Sequence, residues 1–90
     1  MAIEVATYQT PIVDKDGLTY AARAYGAENE LGLWEGWLEF EGPGGRLVTP
    51  RETTQPNLPD LEYWASGLSP VYLEGALERT EPIPPAVNGM

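Results

Sequence analysis

Ninety residues carrying 14 acidic and 5 basic side chains have a net charge of −9, and they suffice for one domain with one modest core. Folding a chain of this size buries about 64% of its surface. There is no cysteine and no histidine, which excludes disulfides, thiolate nucleophiles, Cys- or His-based metal sites and Ser–His or Cys–His catalysis.

The basic residues are one lysine, Lys15, and four dispersed arginines, Arg23, Arg46, Arg51 and Arg79. Phosphate-rich partners need clustered cations, so neither nucleic acid nor an anionic membrane is an expected partner. The acidity either steers the protein towards a basic partner or only keeps a small protein soluble. Met1-Ala2-Ile3-Glu4 has no basic stretch leading into an apolar run, and no segment approaches 18 apolar residues. The expected location is the cytoplasm.

In chain order, Ile3 to Thr7 alternates as a short strand, with Ile3, Val5 and Thr7 on one side and Glu4 and Ala6 on the other. Ile12-Val13, Asp14-Lys15-Asp16-Gly17 and Leu18 onward read as a hairpin whose turn uses the positive φ open to Gly17. Its second strand is predicted from Leu18 to Tyr25, followed by a polar connection over 26–32. Leu33 to Glu41 is aromatic-rich with period two and is the clearest strand. Gly42-Pro43-Gly44-Gly45 turns the chain so that Arg46 to Thr49 returns antiparallel. Pro50 ends that strand or marks an edge, and Glu52 to Gln55 either continues a bent edge or leads out to helices.

The period then changes. Asn57 caps a helix that presents Leu61, Trp64, Ala65 and Leu68 on one side, with Gly67 suited to its end. Ser69-Pro70 starts a second helix, Val71 to about Thr80, that buries Tyr72, Leu73, Ala76 and Leu77. Gly75 in its middle costs about 1 kcal/mol against alanine, which predicts close backbone packing there. The stretch 81–90, with Pro82, Pro84 and Pro85, reads as a flexible tail beyond a single domain over 1–80. The expected fold is α+β, an antiparallel sheet of three to four strands followed by two short C-terminal helices packed on one face.

Parity selects the candidate site. Pairing even with even residues puts Tyr20, Ala22, Ala24, Trp34, Gly36, Leu38 and Phe40 on an apolar face, with Trp34 in the core. A one-residue slip would bury glutamates against alanines. The open face then carries Arg23, Tyr25, Glu35, Trp37, Glu39 and Glu41. A tryptophan framed by carboxylates resembles a binding hot spot for a basic and apolar protein segment. The purely structural alternative pairs Arg23 with Glu35 or Glu39 and stacks its guanidinium on Trp37. Trp37 could equally be covered by the N-terminal segment or by a second copy of the chain.

Other constellations are weaker. Asp14 and Asp16 mimic the start of a calcium loop but lack the further ligands and the closing glutamate, so no metal or cofactor is expected. Glu35 and Glu39 would lie about 13 Å apart on one strand, too far for glycosidase chemistry. Arg51 to Gln55 either hold a polar ligand or satisfy polar groups at the junction of sheet and helices. Trp37 with Tyr25 could also stack on a sugar.

The segments Trp34 to Phe40, Glu52 to Gln55, and Tyr63-Trp64-Ala65 through Tyr72 to Leu77 resemble a family of small bacterial proteins of unknown function. The resemblance, over about residues 18–80, implies a stand-alone cytoplasmic domain and assigns no residue a role. The expected function is that of a small acidic, non-enzymatic protein-interaction domain. Its alternative is a module binding a small ligand or carbohydrate through exposed aromatics.

Overall fold

The computed structural model describes residues 1–83. In chain order these form β1 (Ile3–Thr7), β2 (Ile12–Val13), β3 (Thr19–Glu28), β4 (Trp34–Gly42), β5 (Gly45–Val48), β6 (Thr53–Gln55), α1 (Leu58–Ser66), α2 (Pro70–Leu77) and β7 (Glu81–Pro82). The class is α+β with an antiparallel sheet, as the patterning predicts. The sheet has seven strands among the described residues rather than three or four. The difference lies in its edges. β1 and β2 share one side of β3, β5 and β6 share the far side of β4, and β7 adds to β5.

The predicted parity holds at the centre. Ala22 faces Phe40 and Ala24 faces Leu38, so each small residue sits beside a large one and the layer stays level. Leu38 and Phe40 are fully buried, which stabilises by about 1.5–3 kcal/mol each. Ile12 and Tyr20 join them, and Leu61, Ala65, Leu73, Ala76 and Leu77 close the core from the helices. Both helices therefore cover one face, and the molecule is two layers thick.

Helix starts follow their caps. Asn57 Oδ1 accepts from the Asp60 N–H at 2.8 Å, and Ser69 Oγ from the Tyr72 N–H at 3.1 Å. Gly67 ends α1 with φ −94°, without the left-handed turn its position suggested. The second helix stops at Leu77, and Thr80 hydrogen-bonds back to the Leu77 carbonyl through its own hydroxyl. Gly75 corrects another expectation. A Cβ there would meet only the Arg79 guanidinium, at an ordinary 3.7 Å, so close packing does not account for the glycine.

The close approach occurs instead at Gly26 and Gly36, directly paired across β3 and β4 beneath Leu61. It explains why β3 runs through to Glu28, beyond the predicted end at Tyr25. The two hairpins of the N-terminal half share one turn design, Asx-x-x-Gly. Asp14 Oδ1 accepts from the Asp16 and Leu18 N–H groups, and Asn29 Oδ1 from those of Leu31 and Leu33. Gly17 and Gly32 each supply the left-handed residue, at φ +82° and +79°.

β1 departs from simple alternation. Ile3 pairs with Gly26 and Glu4 with Tyr25, but Ala6 pairs with Ala24, leaving Val5 as a bulge. Glu4 and Thr7 consequently share the open face, and Thr7 Oγ1 donates to the Glu4 carboxylate. The Pro-rich end enters on β7, which pairs Glu81 with Val48 and Pro82 with Leu47. The remainder of that predicted tail, 84–90, lies outside the described residues. No helix among the described residues is long and apolar enough to cross a membrane.

Candidate functional site

The sheet face opposite the helices is built from odd-numbered residues of β3 and β4. Tyr25 lies directly across from Trp37, Arg23 from Glu39, Ala27 from Glu35 and Ala21 from Glu41. Tyr25 and Trp37 stack with ring centroids 6.3 Å apart and planes 16° from parallel. Both are half-buried and retain a solvent-facing part. Trp37 is therefore not fully buried among the described residues.

The charged groups around this pair are sorted. The Trp37 Nε1–H donates to Glu39 Oε2 at 3.1 Å, and Arg46 Nη2 lies 2.5 Å from Glu39 Oε1. Glu39, its side chain only 17% exposed, thus has both oxygens engaged. Arg23 corrects an expectation. It pairs with neither Glu35 nor Glu39 but reaches diagonally to Glu41, Nη1 to Oε1 3.7 Å. Arg46 already occupies Glu39, and Tyr25 rather than Arg23 stacks on Trp37. The Arg23–Glu41 pair is largely solvated, where such contacts contribute little.

Glu35 and Glu4 differ. Glu35 Oε2 accepts from the Asn29 side-chain amide at 3.0 Å, and Glu4 Oε2 from the Thr7 hydroxyl. Neither meets a cation among the described residues. Both flank the aromatic pair, Glu4 across from Tyr25 and Glu35 two residues before Trp37. Sequence patterning set Glu4 opposite Ile3 but missed it at the site, because its place beside Tyr25 depends on how β1 pairs with the distant β3. It missed Arg46 because that residue belongs to the neighbouring strand.

The face is shallow. A depression beside Arg23, Tyr25, Glu39 and Glu41 holds about 10 Å³, room for one water. A cleft of about 350 Å³ lies elsewhere, between the β2–β3 turn, Leu47 of β5 and Leu77 and Glu78 at the end of α2.

The junction segment forms internal contacts. Glu52 accepts from the Tyr72 hydroxyl at 2.6 Å and from Arg79 Nη2 at 2.6 Å and Nε at 3.2 Å, and the Arg79 guanidinium lies 5.5 Å from the Tyr72 ring centroid. Burial pushes the Glu52 carboxyl up, but the hydrogen bonds and charge of Arg79 and Tyr72 outweigh it and hold the group below the usual glutamate value. Gln55 donates to the Thr53 hydroxyl. The Glu52 contacts tie α2 and the residues just after it to the segment leading into β6, whereas the Gln55–Thr53 bond lies within β6.

Tyr8 ties β1 to α1 through its hydroxyl and the Ala65 carbonyl, 2.7 Å apart. Burial, with a contribution from Tyr72, pushes its pKa up to about 12. Asp14 is spent on its turn, and among the described residues no group of three or more candidate ligands is placed to hold a metal ion. No protein-family model matches this chain, and no curated protein or solved structure does so either.

Proposed function

We propose that this protein is a small, non-enzymatic interaction domain that binds a basic protein segment on its open sheet face and works in the cytoplasm. The observation that carries the reading is the Tyr25–Trp37 stack, left uncovered by either helix and set among carboxylates. A chain with neither histidine nor cysteine also lacks the groups that most often carry out acid–base and nucleophilic chemistry.

The edges of the sheet are poor docking sites. A bulge interrupts β1, Pro50 interrupts the β5–β6 edge, and Pro82 removes a donor from β7. The face itself is not self-complementary. Glu4, Glu35, Glu39, Glu41 and Glu81 outnumber Arg23 and Arg46, so two copies placed face to face would repel. A partner of opposite charge fits it better than a second copy. A water-sized depression also gives no hold on a small molecule, whose sites usually enclose about 300–1,000 Å³.

The test is capture from lysate with immobilised protein at low and moderate salt, comparing wild type with folded Trp37→Ala. The reading predicts a partner that weakens with salt and is lost from the variant. A partner retained by Trp37→Ala, or one indifferent to salt, overturns it.

A further inference from the structure

We infer that the group the open face takes from its partner is an arginine side chain, its guanidinium laid flat on the Tyr25–Trp37 pair and hydrogen-bonded to Glu35. This rests on the interaction reading above and adds the chemistry of the contact.

Charge on the face is unevenly compensated. Glu39 and Glu41 are already faced by Arg46 and Arg23, whereas Glu35 and Glu4 accept only from the neutral donors Asn29 and Thr7. In both, Oε2 is engaged and Oε1 has no partner among the described residues. The uncompensated negative charge therefore lies on either side of the aromatic pair. Glu4 and Glu35 are separated by two strand spacings and one side-chain repeat, about 12 Å between backbones. A single cation bonds one of them directly and feels the other through space. Glu35 is the bonding partner, because the Asn29 amide holds it in place and Asn29 is itself fixed by the turn it caps.

Shape narrows the choice of cation. With the Trp37 N–H committed to Glu39, the platform offers ring surface and no free indole donor. The depression on this face lies beside Arg23, Tyr25 and Glu41 and has room for a single water, so a compact group finds no socket there. A planar, weakly hydrated cation matches both conditions: it stacks on rings and presents several N–H donors in one plane. An ammonium is compact and strongly hydrated, and forfeits the stacking.

The experiment uses the full chain, ¹⁵N-labelled, and the Trp37 indole N–H resonance, identified by its disappearance in Trp37→Phe. The probes are capped Ser-Arg-Ser-Arg-Ser and the same peptide with lysine or with citrulline in place of arginine. The arginine peptide should shift the Trp37 signal saturably, the lysine peptide should bind at least about threefold more weakly, and citrulline should not bind. Glu35→Gln should weaken the arginine peptide about tenfold, as expected for a charge-assisted contact, and Glu41→Gln should change it little. Equal binding of lysine, binding of citrulline, or equal losses in the two glutamine variants overturns the inference. If the arginine peptide fails while a Trp37-dependent, salt-sensitive partner is still captured, the arginine assignment falls and the interaction face stands. If both fail, so does the face.

Discussion

Leu61 reaches down from α1 with one methyl group over Gly26 and the other over Gly36, so its forked side chain straddles the only kind of residue that leaves it room. A Cβ on Gly36 would come within 2.7 Å of Leu61 Cδ1, 3.0 Å of Thr53 Cγ2 and 3.2 Å of Trp64 Cζ3. The leucine cannot swing clear, because its other branch is held over Gly26. Gly36→Ala should cost about 1–3 kcal/mol through overpacking. Gly75→Ala should do the opposite, gaining about 1 kcal/mol from helix propensity alone. Thermal unfolding of the two variants checks both signs, and a stabilised Gly36→Ala would contradict the packing described. The Glu52 carboxylate supplies a second test at this scale. Its folded pKa lies below the unfolded value, so its contribution is complete above the ordinary glutamate pKa and is lost as pH falls through the folded one. Glu52→Gln should be less stable than wild type at neutral pH, and the gap should close as the pH falls below about 4.3. Urea unfolding across that range measures it; a gap that does not change with pH would remove the carboxylate's charge from the explanation.

At the scale of elements, β5 and β6 act as one edge strand broken at Pro50. Through the break the ladder to β4 continues by other means. The Thr49 N–H bonds the Leu38 carbonyl at 2.9 Å, the Thr49 hydroxyl accepts from the Leu38 N–H at 3.0 Å, and the Glu52 N–H reaches Gly36 O at 2.8 Å. Thr49 is buried, so Thr49→Val leaves the Leu38 N–H without an acceptor and should cost about 1–3 kcal/mol. Thr49→Ser keeps the hydroxyl and should lose less; equal losses in the pair would mean that the methyl, not the hydroxyl, matters. The bent edge was one of two courses open to this segment in the sequence, since Pro50 announces a break without saying whether pairing resumes. The central strands, their shared parity and both helix starts were legible because alternation, helical spacing and capping residues are local signals. The bulge at Val5, the glycine pair and β7 were not. Each depends on what a distant segment brings: the β3 register, the Leu61 side chain, and an edge of β5 free to accept a Pro-containing strand. Of the site, Trp37, Tyr25, Arg23, Glu35 and Glu39 were placed on one face by parity alone. How Arg23, Glu39 and Arg46 divide among themselves required the neighbouring strands.

For the molecule as a whole, two helices roof one face of the sheet, no helix or strand among the described residues covers the other, and that side carries the stacked aromatics amid an excess of carboxylates. A net charge of −9 adds a long-range field that draws cations to that surface and repels anions. The fully buried apolar strand residues Ile12, Ala22, Ala24, Leu38 and Phe40 all lie on the helix side, which is why the open face reads as a charged, aromatic platform rather than a missing layer. Accessibility of Trp37 within a negative field is read by fluorescence quenching in the Trp34→Phe/Trp64→Phe variant, where Trp37 is the sole remaining tryptophan. At low ionic strength, caesium should quench it well and iodide poorly, and added salt should narrow the difference. Quenching by neither ion, or iodide matching caesium at low salt, would contradict an open acidic face.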